Sequence, residues 1–81
     1  MLSELRAKKK VIGVKQSRRA IRDGLARQVF LATDADPALT APLAEQCRSH
    51  GIPVETGRTM RELGQAAGIQ VGAAVVTLLN K

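Results

Sequence analysis

Three groupings of residues in this 81-residue chain have the types and spacing to do chemistry. The first is Asp34-x-Asp36, directly after the apolar run Val29-Phe30-Leu31-Ala32. Paired carboxylates at the end of a strand can hold Mg²⁺ and attack a phosphoryl group, but such a site needs further ligands and a lysine from a later element. No lysine stands between Lys15 and Lys81, so the expected role of Asp36 is to cap the helix that Pro37 starts. The second grouping is Cys47 and His50, three apart on one predicted helix. Two ligands without a third do not make a metal site, and the expectation is a core cysteine and an exposed histidine.

The third grouping is Gly13-Val14-Lys15-Gln16-Ser17-Arg18-Arg19-Ala20. Here a glycine precedes a helix N-terminus, whose free N–H groups attract acceptor atoms and negative charge. Gln16 and Arg19 are three apart and share a face, from which they can hydrogen-bond base edges while Arg18 and Arg22 meet phosphates. An ordinary basic amphipathic helix fits the same periodicity. Farther on, Gly68-Ile69-Gln70-Val71-Gly72 places two branched apolar residues in a loop bounded by glycines. They are either core or an exposed apolar shelf for an extruded base, and local pattern leaves both open.

These segments must be positioned by short elements. Ser3 can cap a first helix to about Lys9, and Val11-Ile12 reads as a brief strand ending at Gly13. Val14, Ile21 and Leu25 lie on one helical stripe, with Gly24 as the stop. Val29 to Ala32 is a strand covered on both faces. After a turn at Asp36-Pro37, Pro42 argues for a helix re-capped by Thr40 that buries Leu39, Leu43 and Cys47 and ends at Gly51. Ile52 to Glu55 is a short strand. Thr59-Met60-Arg61-Glu62 is a capping box opening a helix to Ala67, with Gly68 as its stop, and Ala73 to Leu79 is the last strand. The order α-β-α-β-α-β-α-β predicts a three-layer α/β/α sandwich around a mixed four-stranded sheet.

Charge is uneven along the chain. Residues 1–27 hold nine Lys and Arg against Glu4 and Asp23, a net of +7, and the other 54 residues sum to −1. A localised basic field fits a polyanionic partner, as it also fits a solubilising surface. Aromatics are nearly absent, with Phe30 alone, so a platform that stacks single-stranded bases is not expected, and folded RNA is the better match. No Walker A or dinucleotide-binding glycine motif occurs, and one histidine without a nucleophile–base pair argues against an enzyme. The apolar run Val71 to Leu79 is too short for a membrane helix, and the start of the chain lacks a signal-peptide apolar region. The single Cys47 suits a reducing compartment, so a cytoplasmic setting is expected. The length fits one domain over residues 1–81 with no cofactor.

Three motifs, in order and correctly spaced from about Lys10 to Leu79, resemble the kink-turn-binding ribosomal protein family, the L-seven-Ae and L-thirty-e group with its small bacterial branch. Gly13-Val14-Lys15-Gln16-Ser17-Arg18-Arg19-Ala20 is similar to G-x-N-E-x-x-K-A. Ala32 to Pro37 resembles A-x-D-x-D-P. Leu63 to Ala74 resembles L-G-x-A-A-G-hydrophobic-x-V-x-A-A. The resemblance implies an RNA-binding monomer for kink-turn RNA, ribosomal or riboswitch, with Lys15, Gln16 and Arg19 at tandem sheared G·A pairs. It also implies that Ile69, Gln70 and Val71 lie against a flipped-out nucleotide. Lys15-Gln16 replaces Asn-Glu, so the amide keeps an acceptor but loses the charge-assisted bond of a carboxylate. A recruiting module of an RNA-modifying enzyme has a similar fold, though this chain carries no catalytic domain. A structural or protein-interaction α/β domain is the alternative from another class.

Overall fold

The computed structural model describes residues 9–80, so the helix expected from Ser3 lies outside the described residues. From Lys10 onward the elements alternate: β1 (Lys10–Ile12), α1 (Val14–Arg22), β2 (Ala26–Ala32), α2 (Pro37–Ser49), β3 (Val54–Arg58), α3 (Met60–Ala67) and β4 (Val75–Leu79). The sheet order is β1-β4-β2-β3. Strand β4 runs antiparallel to both β1 and β2, whereas β2 and β3 are parallel. Strands β1, β2 and β3 therefore end, and β4 begins, at one end of the sheet.

Both sheet faces are covered, which makes the expected three layers. On one face Ile21 of α1 and Leu43 and Cys47 of α2 pack against Val29, Leu31 and Val75. On the other, Leu63, Ala66 and Ala67 of α3 pack against Phe30, Val76 and Leu78. Alternate residues of β2 and β4 thus feed opposite cores, which is why these strands read as continuous apolar runs.

Several expectations are corrected. Helix α1 ends at Arg22, and Leu25 lies outside it, 53% exposed. Gly24 takes the left-handed conformation at φ 73°, and Leu25 N–H bonds Ala20 O at 2.9 Å while Gly24 N–H bonds Ile21 O at 3.2 Å. This paired closure turns the chain out before the stripe can reach Leu25. Helix α2 is continuous through Pro42. The proline removes one bond, to the carbonyl of Ala38, on an exposed face, while Leu43 and Cys47 anchor the helix to the core. Leu39 extends that stripe by one turn but is 44% exposed, in an open groove that it lines with Val14, Arg18, Pro42 and Gln46. Strand β2 begins three residues earlier than expected, at Ala26. Strand β3 is shifted to Val54–Arg58, where parallel pairing with β2 and not apolar pattern sets the register.

Candidate nucleic-acid interface

The three helices start at the same end of the sheet, yet only two are sealed. Asp36 accepts a 2.9 Å bond from Ala38 N–H and caps α2. At α3, Thr59 Oγ1 accepts from Glu62 N–H at 3.1 Å and Glu62 Oε1 accepts from Thr59 N–H at 2.9 Å, completing the expected capping box. Asp34 adds a 2.8 Å bond from Met60 N–H. Both aspartates of the Asp34-x-Asp36 pair are therefore committed to helix starts.

Helix α1 has Gly13 at its N-cap, no capping side chain and no acidic residue in its first turn. Gly13 stands at φ 108°, where a side chain would be strained, and its own N–H bonds Val75 O at 3.0 Å. Ser17 N–H is the first to bond within the helix, to Gly13 O at 3.0 Å. The N–H groups of Val14, Lys15 and Gln16 are thus left without intrahelical acceptors, at the positive end of the helix dipole. Such an end is suited to phosphate or to the acceptor edge of a base.

Lys15, Gln16, Arg18, Arg19 and Arg22 are all exposed, but they do not share one face. Ser17, Ala20 and Ile21 are buried against the sheet. At about 100° per residue, Lys15, Arg19 and Arg22 form the outward stripe, Gln16 sits on one flank and Arg18 on the other. Arg18 turns toward α2 and lines a groove of about 230 Å³ with Val14, Leu39, Pro42 and Gln46. Gln46 Nε2 donates to Arg18 O at 3.3 Å there. Arg22 lies roughly 9 Å along the axis from Gln16 and pairs with Asp23 at 3.0 Å, which raises its pKa through hydrogen bonding and charge.

The loop 69–72 lies on the other face of the sheet and folds back along α3. A Cβ placed on Gly64 would meet Val71 O at 2.0 Å, and one on Gly72 would meet Met60 Cβ at 3.2 Å. Ala73 N–H then bonds Met60 O at 3.0 Å, which returns the chain to the end where α1 begins. The two apolar residues of this loop part company. Ile69 is half-buried against the α3 core, whereas Val71 is 70% exposed and Gln70 is exposed beside it.

The Gly13–Val75 bond ties the uncapped helix start to the first residue of β4, the strand that follows the loop, at one sheet end. That end also carries Thr33 and Arg61, both exposed and neither singled out by sequence. Their signal was topological: they follow the carboxyl ends of β2 and β3, where open α/β sheets bind ligands. Cys47 is fully buried, and burial pushes its thiol pKa up, while His50 is exposed, so the two do not converge. Among the described residues no helix is long and apolar enough to cross a membrane.

A three-layer sandwich of this topology recurs in solved structures. A protein of unknown function from Bacillus halodurans C superposes with a TM-score of 0.86 at 28% identity, over 95% of this chain and 81% of that one. The Giardia lamblia 15.5kD RNA binding protein has a TM-score of 0.85 at 23% identity, over 99% of this chain and 66% of that one, and speaks for the fold alone. The chain belongs to the Ribosomal protein L7Ae/L30e/S12e/Gadd45 family, whose model matches residues 2–81. A relative from Geobacillus sp. (strain WCH70), RNA-binding protein GWCH70_0105, is 41% identical over 94% of this chain and 93% of its own length.

Proposed function

We propose that this chain is a single, non-catalytic RNA-binding domain that recognises a kink-turn from the sheet end where α1 begins. The observation that carries the reading is the uncapped start of α1, with three N–H groups that have no intrahelical acceptor beside exposed Lys15, Gln16 and Arg19. Family membership and a 41% identical relative named as RNA-binding support it. Gly13 brings the backbone close to the RNA, and Lys15, Gln16 and Arg19 meet base edges of the G·A pairs. Val71 and Gln70 form the exposed side of a shelf for the flipped-out nucleotide, and Ile69 supports it from beneath. Arg18, on the α2 flank, reaches the adjoining backbone. With the buried thiol of Cys47, a reducing cytoplasmic setting suits the protein.

Titration of ¹⁵N-labelled protein with a kink-turn duplex tests this directly. The largest amide shifts are expected at Val14, Lys15 and Gln16 and across residues 69–73. Shifts concentrated on α2 or β3 would overturn the assignment, and no shifts with any RNA would favour a structural or protein-interaction domain.

A further inference from the structure

The opposite end of the sheet carries a second basic surface, about 20 Å away along β2 at roughly 3.3 Å per residue. There the end of β4 is tied on both sides. Leu79 N–H bonds Lys9 O at 2.9 Å, and Asn80 N–H bonds Leu25 O at 2.8 Å, with Asn80 Nδ2 on Gly24 O at 3.1 Å. These bonds hold Lys9 and the 24–27 segment on either side of one strand, about 10 Å apart. The pairing of β2 with β4 shifts register between Ala26 and Gln28, and Arg27 is the extra, exposed residue at that bulge. A bulge re-aims a side chain away from the regular pleat. Arg22, at the last turn of α1, completes the surface, with Asp23 paired to it.

The two ends differ in sign balance. Among the described residues, Asp34, Asp36 and Glu62 dilute the field of Lys15, Arg19 and Arg61 where α1 begins, and Arg58 at the end of β3 is bridged to Glu55. At the far end Lys9, Arg22 and Arg27 face Asp23, and at the neighbouring end of α2 Arg48 is bridged to Glu45 beside His50. The stripe of Lys15, Arg19 and Arg22 on α1 connects the two ends.

We infer that Lys9, Arg22 and Arg27 form a second binding surface for the phosphate backbone of duplex RNA, distinct from the kink-turn end. The choice of RNA as the polyanion rests on the function proposed above. Among the described residues at this end Leu25 is the exposed large apolar side chain, too little area to hold a membrane, whereas Lys9 and Arg27 on either side of a strand end suit phosphates. The duplex is a longer stem of the kink-turn RNA itself, because the outward stripe of Lys15, Arg19 and Arg22 on α1 runs without a break from one end to the other.

The test uses the full chain and its Lys9→Glu/Arg27→Glu variant, both exposed positions outside the kink-turn end. Kink-turn duplexes with short and long stems are titrated across a salt series, and a labelled plain duplex is offered to protein already saturated with the short-stem RNA. For the wild type, tighter binding of the long stem is expected, and capture of the plain duplex with no gain from the long stem would overturn the assignment to the stem. The variant should lose that gain at least tenfold, lower the slope of log K against log salt by about 2, and keep its short-stem affinity at high salt. Equal behaviour of wild type and variant overturns the second surface. So does selective binding to anionic phosphatidylserine vesicles that plain duplex does not displace. If the kink-turn end binds nothing, plain-duplex affinity of wild type against variant still decides this surface by itself.

Discussion

Helices α1 and α3 start at the same end of the sheet, on opposite faces, and treat their first-turn N–H groups in opposite ways. Helix α3 has a reciprocal capping box and a further bond from Met60 N–H to Asp34. Helix α1 has a glycine and nothing else. Relative to Ser, Thr, Asn or Asp, a glycine N-cap costs roughly a few tenths of a kcal/mol, so the open start of α1 forgoes only a little stability. The difference teaches where to look for a ligand: the sealed start holds the loop 69–72 in place, and the open start offers its donors outward.

Substitutions can break or sharpen that contrast. The largest effect is expected at the open end, where Gln16→Ala and Arg19→Ala should each weaken kink-turn binding by about 1–3 kcal/mol with the melting temperature unchanged. Unchanged affinity in both variants would remove these side chains from the interface. At the sealed end, Ile69→Asp should cost about 2 kcal/mol of stability in urea unfolding, because it puts a carboxylate against the α3 core. Val71→Asp should leave stability within ~0.5 kcal/mol, as exposed positions do, while binding falls. If Val71→Asp unfolds the protein instead, the loop is core and not shelf.

Smaller effects separate capping from recognition. Thr59→Ala should lower stability by about 1 kcal/mol and leave RNA affinity nearly untouched, since it opens only the α3 cap. Lys15→Asp should act in two directions at once. A carboxylate in the first turn of α1 favours the helix dipole, by about 0.3–1 kcal/mol, yet it opposes an anionic ligand. A denaturation midpoint that rises while affinity drops would show that the open end is kept open for binding.

Much of this was legible in the residues. The capping box at Thr59 and Glu62, the Asp36-Pro37 helix start and the stops at Gly24, Gly51 and Gly68 are local signals, and the structure has all of them. The span of α2 was not legible, because tolerance of Pro42 depends on Leu43 and Cys47 being anchored to strands distant in sequence. Nor was the span of β3, expected from Ile52 to Glu55 and found at Val54–Arg58, an edge strand whose polar residues are fixed by pairing to β2. At the site, Gly13 marked the open N-terminus of α1, and spacing put Gln16 and Arg19 on one face and Arg18 and Arg22 at phosphates, without saying where each arginine lies. Only the packing of α1 on α2 and the sheet divides them among flank, stripe and far end. The fate of Ile69 against Val71 needed the return of the loop along Gly64, a contact between residues whose role no spacing reveals.

The measurement that bears most directly on the central claim is binding to a short duplex containing a standard kink-turn, against the same duplex with its G·A pairs replaced, across a salt series. The account predicts a preference for the kink-turn that persists at high salt, because shape and base edges carry it. Equal, weak and steeply salt-dependent binding to both duplexes would contradict it, and would leave the open start of α1 as part of a nonspecific basic surface.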